Sequence, residues 1–539
     1  MDHLQQLGTL YDVVDLSEAG RCATLKPLSN GSAHSRPALL LLGESLEPLA
    51  RVVQTNSQAN VLVVVALSPG ASIPNRVAFA GWLHPKARPM IEKAGYYYFG
   101  EDPMAAGMFR LLESALCATQ TMLAVSSEAI SLGVKAGLHP QLLYSAIAGA
   151  AGASWSFRHL APTMLSILPA DPSNVIHGPP YARKALESLY SPLFTLALHL
   201  LQDTPSGEVK VDWNHLCSSR MANGTFQRLA VDFGSSDLKA SRPSKIAFIG
   251  LGAMGFGMAN VLRAAGHNVV GYDAWKPSMD RYSAGGGICS SSPEECGRDA
   301  EVLVLMVVNA TQAQQALFQQ CVAQALPFGA SVILMSTVAP SQAIALSERL
   351  REVRNDLSFF DAPVSGGTPR AATGDLTILC AGPVNPNANS NPDGYAKVYS
   401  VLEALSASRG KKENLIHVPG GPGMGAAIKL VNQHLAGCHI SSTAEALAFA
   451  ARLGLPLRLA RAALLSGPAE SWMMGHRGKH MLDGLLQPPT SMIDIFVKDM
   501  SIVVDEAARL GCAVPLASHV QQQFILGRSC GWGKDDDSR

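Results

Sequence analysis

The chain has 539 residues, of which 47% are hydrophobic and 16% charged, and its 42 basic side chains balance its 42 acidic ones. This length predicts about three or four domains, and the charge balance argues against a general attraction to nucleic acid or to an anionic membrane. Its apolar runs are far shorter than the ~20 residues that cross a bilayer, which argues against a membrane-spanning protein.

The N-terminal half opens with MDHLQQLGTLYDVVDLSE, which has acidic residues and no basic-then-apolar segment with a cleavage site. We therefore expect no secretory signal and a cytoplasmic location. The lengths of the apolar runs Pro37–Leu42, Asn60–Leu67 and Val302–Val308 are typical of buried parallel strands. The ten cysteines form no C-x-x-C pair, so neither a zinc site nor a disulfide framework is predicted.

Two segments of the chain match each other. SEAISLGVKAGL at Ser127–Leu138 aligns with AEALAFAARLGL at Ala444–Leu455, and the same offset, 472 minus 155 or 317, carries Trp155 onto Trp472. A gap-free match of this length predicts a tandem duplication. A polar stretch from Asp203 to Ser244 is the predicted linker between the two copies. The predicted division is a degenerate Rossmann-like remnant at 1–103, a helical domain at 104–202, a linker at 203–244, a cofactor-binding Rossmann domain at 245–420 and a helical catalytic domain at 421–530.

The second copy begins with KIAFIGLGAMGFGMANVLRAAGHNVVGYD, which predicts a buried strand at Lys245–Ile249, a glycine-rich turn, a helix to about Ala265 and a second strand that ends at Asp273. This is the fingerprint of a dinucleotide-binding α/β fold. The helix amides that follow the turn can face a pyrophosphate. The predicted cofactor-binding residues are Gly250, Gly252, Ala253, Met254, Gly255, Asp273 and Thr337.

The choice of cofactor depends on Asp273, because an acid in this position bonds the ribose hydroxyls and repels a 2′-phosphate. We therefore predict NAD. Lys276 could neutralise such a phosphate, which leaves NADP possible. Thr337 and its neighbour Ser336 follow the apolar strand Ser331–Met335, at the end of the sheet where open α/β folds bind ligands.

From the fingerprint to about Gln523, the second copy resembles the β-hydroxyacid dehydrogenases, which include 3-hydroxyisobutyrate, tartronate semialdehyde and L-threonate dehydrogenases. The resemblance rests on GLGAMGFGMA, MSTVAP, FFDAPVSGGTPRAATGDLTILCAG and GMGAAIKLVNQHLAG. It implies an α/β Rossmann domain followed by an all-α domain like that of 6-phosphogluconate dehydrogenase. The preceding truncated copy would have the same pair of domains in degenerate form.

The resemblance also implies roles for individual residues. Ser365, Gly366 and Gly367 would hold the substrate carboxylate, although from the residues alone an ordinary Gly-Gly turn is equally expected. Lys429 would be the catalytic acid/base and Asn432, one turn along the same helix face, would orient the substrate. A lysine with an ordinary pKa of ~10.4 is a poor base at neutral pH, so burial must lower that pKa.

Three further residues, Lys498, His434 and His439, are of types that could belong to the site. Lys498 resembles a family lysine near the nicotinamide and the substrate, although Lys498 followed by Asp499 could also be a solvated pair. His434 and His439 lie five residues apart on one helix, which turns their side chains about 140° away from each other. They do not form a chelate, and no metal is predicted.

The first copy carries a single glycine, Gly43, where the fingerprint needs three, and it lacks the DAPVSGG segment. At the offset of 317, Leu112 stands in the place of Lys429, and a two-residue shift would put Arg110 there. We predict that this copy has no chemistry of its own. Because family members commonly pair through their helical domains, it could form an intramolecular pseudo-dimer with the second copy; a homo-oligomer and an inert relic are the alternatives.

The predicted function is the NAD-dependent oxidation of a small hydroxy acid. The helix that begins near Lys429 and the run Val308–Gln312 most resemble the L-threonate branch, so a four-carbon sugar acid such as L-threonate or D-erythronate is the best candidate substrate. The alternative is a cofactor-binding scaffold or sensor with negligible turnover. No nucleic-acid or membrane partner is expected.

Overall fold

A computed structural model of the chain describes residues 12–15, 38–42, 61–66, 77–81, 83, 87–93, 96–117, 121–164, 244–383, 392–406 and 414–539. Gly43 and all of the predicted linker except Ser244 lie outside the described residues, as does 165–202 of the predicted first helical domain. Within the described ranges, no helix is long and apolar enough to cross a membrane.

The described strands of the N-terminal half form one five-stranded sheet in chain order. The apolar runs predicted as parallel strands pair in parallel as β2 and β3, but β3 pairs antiparallel with its other neighbour, β4. The sheet is therefore mixed, whereas a Rossmann sheet is parallel. The strands are β1 Asp12–Asp15, β2 Ala38–Leu42, β3 Val61–Ala66, β4 Val77–Gly81 and β5 Tyr97–Tyr98.

Helices follow this sheet. They are α1 Arg88–Lys93, α2 Ala105–Cys117, α3 Thr121–Lys135, α4 Pro140–Ile147 and α5 Trp155–Met164. His139, in extended conformation, and Pro140, whose fixed φ suits the first turn of a helix, define where α4 begins.

The described part of the second half begins with a six-stranded parallel sheet in the order β11-β10-β9-β6-β7-β8. This is the strand order of a Rossmann fold, and the order reverses between β6 and β9, where such sheets bind ligands. The strands are β6 Lys245–Ile249, β7 Asn268–Tyr272, β8 Ile288–Cys289, β9 Val302–Leu305, β10 Ser331–Leu334 and β11 Ser358–Asp361. The helices between them are α6 Ala253–Ala264, α7 Lys276–Ala284, α8 Pro293–Gly297, α9 Ala310–Gln314, α10 Val322–Ala325 and α11 Pro340–Val353.

A small sheet continues this domain, with β12 antiparallel and β14 parallel to β13. It consists of β12 Val364–Ser365, β13 Thr377–Cys380 and β14 Leu415–His417, with α12 Gly367–Thr373 and α13 Pro392–Ser406 between them. The helical domain follows, with α14 Met424–Arg452, α15 Leu457–Leu465, α16 Trp472–Asp483, α17 Ile493–Arg509 and α18 Pro515–Gly527.

Helix α14 is 29 residues long and forms the centre of the helical domain. Most of its side chains are buried, including the polar side chains of Lys429, Asn432 and His434. A helix that is apolar on almost every side must be surrounded by other elements. Helices α16, α17 and α18 pack on it, and so does α3 of the N-terminal half.

The two halves of the chain share one hydrophobic core, which contains buried residues of α3, α4 and α5 together with residues of α14, α17 and α18. Next to this core, Ser154 and Ser471 form an antiparallel bridge. The Trp155 amide donates to the Glu470 carbonyl at 2.9 Å, and the Trp472 amide donates to the Ala153 carbonyl at 3.0 Å. Because 472 minus 155 and 470 minus 153 both equal 317, exchanging the two segments reproduces the same pair of bonds, as in a two-fold interface.

Candidate functional site

The glycine-rich turn of the fingerprint lies between β6 and α6, at the point where the strand order reverses. Gly250 has a φ of +101°, a conformation that favours glycine, and a Cβ there would lie 2.2 Å from the Met306 carbonyl oxygen. A Cβ at Gly255 would lie 1.8 Å from the Gly250 oxygen. Gly252, the N-cap of α6, is exposed and borders open space. The turn thus presents backbone amides to a position that a pyrophosphate can occupy.

Asp273 directly follows β7, which ends at Tyr272, one residue before the predicted end of that strand at Asp273. Its Oδ2 accepts a hydrogen bond from the Leu251 amide at 2.7 Å and its Oδ1 accepts one from the Trp275 amide at 2.8 Å. These bonds fix the carboxylate beside the glycine turn. Each carboxylate oxygen has a second lone pair, so the group can still accept from a ribose hydroxyl.

Two basic residues lie on the helix after Asp273. Lys276 forms an exposed pair with Asp280 at 2.7 Å, four residues along α7. Arg281, which the sequence reasoning did not single out, donates to the Leu251 carbonyl at 3.0 Å, and its guanidinium stacks over Phe256 at 4.1 Å. Arg281 therefore stabilises the glycine turn through its bond to Leu251.

Ser336 and Thr337 follow β10, as predicted, but they differ in surroundings. The Ser336 hydroxyl is fully buried and accepts a hydrogen bond from the Val307 amide at 2.8 Å, which joins the ends of β9 and β10. Thr337 is half-buried, and its carbonyl accepts a hydrogen bond from Lys498 Nζ at 3.0 Å. The sheet edge and the helical domain meet at this contact.

The segment Ser365-Gly366-Gly367 leads from β12 into α12. Gly366 and Gly367 have φ values of +140° and +68°, and a Cβ at Gly366 would lie 2.9 Å from Arg370 side-chain carbons. Glycine is therefore required by conformation at both positions. Helix α12 packs on the fingerprint helix α6 through Gly257, whose added Cβ would lie 2.9 Å from the Ala372 nitrogen. This packing ties the predicted carboxylate loop to the predicted cofactor turn.

Asp361, at the end of β11, is a buried residue that the sequence reasoning did not identify as important. Its Oδ2 accepts hydrogen bonds from the Gly423 and Ala426 amides at 3.1 and 2.8 Å, and so caps the N-terminus of α14. Complete burial raises the pKa of this carboxyl to about 7, against the lowering effect of the amides. Asp361 thereby fixes the Rossmann domain to the helix that carries Lys429.

Lys429 lies in the second turn of α14, and its side chain is only 6% exposed. Burial lowers the pKa of its ammonium to about 8; the charge of Asp499 opposes this effect and that of Lys498 reinforces it. The Lys498 ammonium lies 2.9 Å from Asp499 Oδ1, in addition to its bond to Thr337. The structure thus brings together the two lysines that the sequence singled out.

Asn432, one turn beyond Lys429, is 2% exposed and belongs to a chain of side-chain hydrogen bonds. Its Nδ2 donates to Gln433 Oε1 at 3.1 Å, and Gln433 Nε2 donates to Asp499 Oδ2 at 2.6 Å. On its other side, Asn432 Oδ1 accepts a hydrogen bond from the Gly152 amide of the N-terminal half at 2.9 Å. Neither Asp499 nor Gly152 was assigned to the site from the sequence.

The two histidines of α14 have separate environments. His434 Nε2 lies 2.7 Å from Glu128 Oε1 on α3, and both side chains are buried. The same carboxylate accepts hydrogen bonds from the Leu516 and Ala517 amides at the start of α18. His439 is fully buried, which lowers the pKa of its ring to about 3. No cluster of three or more candidate metal ligands occurs among the residues that the structure describes.

The glycine turn at the switch point and the buried Lys429, on the helix that Asp361 caps, define the class, an NAD(P)-dependent oxidoreductase. Residues 245–414 match the family model for the NAD-binding domain of 6-phosphogluconate dehydrogenase. Residues 423–539 match the model for the NAD-binding region of NADP-dependent 3-hydroxyisobutyrate dehydrogenase. With the relatives described next, these matches show that the chain belongs to the β-hydroxyacid dehydrogenase family.

The chain is 38% identical to L-threonate dehydrogenase of Cupriavidus necator over 295 residues, which is 54% of this chain and 93% of the relative. It is 30% identical to 3-sulfolactaldehyde reductase of Escherichia coli over 54% of this chain and 92% of that enzyme. A crystal structure of 3-hydroxyisobutyrate dehydrogenase from Salmonella typhimurium is 33% identical, with a TM-score of 0.48, over 55% of this chain and 98% of the other.

Proposed function

We propose that the enzyme oxidises a small hydroxy acid, with a four-carbon sugar acid such as L-threonate or D-erythronate as substrate and Lys429 as the acid/base. The observation that carries the proposal is the burial of Lys429 and the lowering of its pKa to about 8. A base works best when its pKa lies near the working pH. The intact set of Lys429, Asn432 and Ser365-Gly366-Gly367 argues against a scaffold or sensor without turnover.

The reaction needs a base, a grip on the carboxylate and a hydride acceptor. The nicotinamide, when bound, supplies the acceptor for the hydride that leaves the hydroxyl-bearing carbon. Neutral Lys429 takes the proton of the hydroxyl group and becomes an ammonium. Asn432 orients the hydroxyl group, while Ser365, Gly366, Gly367 and Lys498 hold the substrate carboxylate.

The residues around the glycine turn fit a dinucleotide, because a Cβ at Gly250 or Gly255 would fill the cradle. We propose that Ala253, Met254 and Gly255 present the first turn of α6 to the pyrophosphate, with Thr337 on the nicotinamide side. Asp273 favours NAD over NADP, since its carboxylate would repel a 2′-phosphate. The pairing of Lys276 with Asp280 supports this preference, because the lysine charge is already matched.

The relatives support the proposed substrate class. L-threonate dehydrogenases of three bacterial genera are 34 to 38% identical to the chain, whereas 3-sulfolactaldehyde reductase is 30% identical. L-threonate and 3-sulfolactaldehyde each have a short carbon chain with an acidic group. A hydroxy acid of about this size is therefore compatible with both groups of relatives.

We further propose that the chain is a tandem duplication whose first helical domain pairs with the second as an intramolecular pseudo-dimer, with boundaries near 103, 202, 244 and 420. The reciprocal Trp155 and Trp472 bonds support this arrangement. So do two matched ring stacks 317 residues apart, Trp155 on His159 and Trp472 on His476. Pairing of whole chains into a homo-oligomer and a cytoplasmic location stay predictions from the sequence.

The proposed function is tested by a screen of three- to five-carbon hydroxy acids in which the absorbance of NADH or NADPH is followed. L-threonate or D-erythronate should give the highest kcat/KM, and NAD should be preferred to NADP. As a control on the cofactor preference, Asp273→Asn should narrow the NAD preference by removing the like charge. A preference for NADP in the unmodified enzyme would contradict the role of Asp273, and activity on none of these acids would contradict the proposed substrate class.

The pH dependence should follow Lys429. Oxidation needs the neutral amine, so kcat/KM for the hydroxy acid should rise with pH and level off above about 8, while reduction of the keto product should fall over the same range. Lys498→Gln should move this midpoint upward, because it removes a positive charge that lowers the pKa of Lys429. A flat profile between about pH 6 and pH 10 is incompatible with Lys429 as the base.

A further inference from the structure

We infer that residues 148–154 of the N-terminal half, here called the positioning loop, hold Asn432 in its working orientation through the backbone N–H of Gly152. The inference rests on the proposed function, in which Asn432 orients the substrate hydroxyl group. It gives the N-terminal half a part in catalysis, although that half lacks the fingerprint glycines and the lysine of the second half.

The contact settles how the Asn432 amide is turned. The Gly152 N–H donates to Oδ1 at 2.9 Å, and a backbone N–H can only donate, so the oxygen of the amide must face the loop. The nitrogen then lies on the other side, where one N–H is used by Gln433 Oε1. An amide nitrogen has two N–H bonds, so one is left to hold a substrate hydroxyl group.

The loop fits only with glycine at position 152. A Cβ there would lie 2.9 Å from Leu435 Cβ, 3.0 Å from the Asn432 carbonyl oxygen and 3.1 Å from Asn432 Oδ1. Only glycine, which has no side chain, therefore allows the two backbones to come this close. By contrast, a Cβ at Gly149 in the same loop would meet open space.

The second half of the chain holds the loop in place. Ala153, the next residue, accepts a hydrogen bond from the Trp472 amide, and Ser154 forms the antiparallel bridge to Ser471. The Ser154 hydroxyl also caps α5 by accepting from the Phe157 amide at 3.1 Å. These backbone contacts between the two halves fix the position of the Gly152 N–H. A donor that is already fixed orients a side chain at little entropic cost.

Gly152→Ala tests the inference, with Gly149→Ala as the matched control. The added methyl group should push Asn432 from its position and lower kcat for L-threonate or D-erythronate on the order of 10- to 100-fold. The Kd for NADH should stay unchanged, because the fingerprint turn is untouched. Gly149→Ala should match the unmodified enzyme in both quantities. An unchanged kcat in folded Gly152→Ala enzyme would overturn the inference.

Hydrogen–deuterium exchange followed by mass spectrometry tests the same contact. It needs no measurement of activity and no substitution in the positioning loop. In Asn432→Ala, the peptide that covers the positioning loop should lose the protection of one amide, while Asn432→Asp, which keeps an acceptor oxygen, should retain it. Protection that is equal in both variants would overturn the inference. If this difference is seen but no hydroxy acid is oxidised, the contact stands and the proposed function fails.

Discussion

Lys429→Ala should abolish turnover, with a loss in kcat on the order of 10²–10⁴-fold, because the variant has no group to take the hydroxyl proton. The glycine turn between β6 and α6 does not depend on this side chain, so NADH should still bind. Steady-state kinetics and the quenching or transfer of NADH fluorescence measure the two properties separately. A variant with near-normal kcat would refute the role of Lys429, and one that also fails to bind NADH would indicate a disrupted helix.

Thermal unfolding of Lys429→Met provides the control for folding. A fall in the pKa from 10.5 to about 8 corresponds to a stability penalty of roughly 3 kcal/mol in the native state below pH 8. Because the unfolded chain binds more protons between pH 8 and 10.5, this penalty fades as the pH rises through that range. Lys429→Met should therefore unfold at the same or a higher temperature than the unmodified enzyme at pH 7. If Lys429→Met is inactive but at least as stable as the unmodified enzyme, the substitution has removed the chemical step and has not disrupted the fold.

The sequence predicted those parts of the site whose residues lie close to one another in the chain. The strand Lys245–Ile249, the glycine turn and the helix that ends at Ala264 follow one another within twenty residues, and close contacts within or beside that unit explain Gly250 and Gly255. The position of Asp273 at the end of β7 follows from the same local pattern. The family resemblance added Lys429 and Asn432, and burial in the structure explains how a helical lysine can act as a base.

The features that were missed depend on contacts between distant parts of the chain. Gly152 and Asn432 are 280 residues apart, and Asp361 caps a helix that begins more than sixty residues later. Ser336 looked like a ligand contact because of its place at the end of a strand, but its hydroxyl is used to join two strands. No periodicity or spacing reports such pairings, since they arise only when the domains pack together.

The buried pair of Glu128 and His434 shows how strongly the second half relies on the first. Glu128 is the partner of His434 and also accepts the Leu516 and Ala517 amides, so its removal would leave a buried ring nitrogen and a helix N-terminus without these contacts. Apolar contacts lie beside it: Gly133 of α3 closely approaches Val431, and Gly152 closely approaches Leu435. Returning each such large apolar side chain to water would cost about 1.5–3 kcal/mol.

A chain that begins at Ala240 should therefore aggregate, or dimerise through the uncovered face of α14, and lose most of its activity. The face exposed by the deletion would be apolar and continuous, which is the property that drives association. Sedimentation and light scattering at several concentrations measure the association, and co-expression of residues 1–239 as a separate chain provides the control, since it should restore a compact complex with activity. A stable, fully active monomer of the shortened chain would show that the N-terminal half neither supports the helical domain nor positions Asn432, and the interpretation of that half as an inert relic would then be correct.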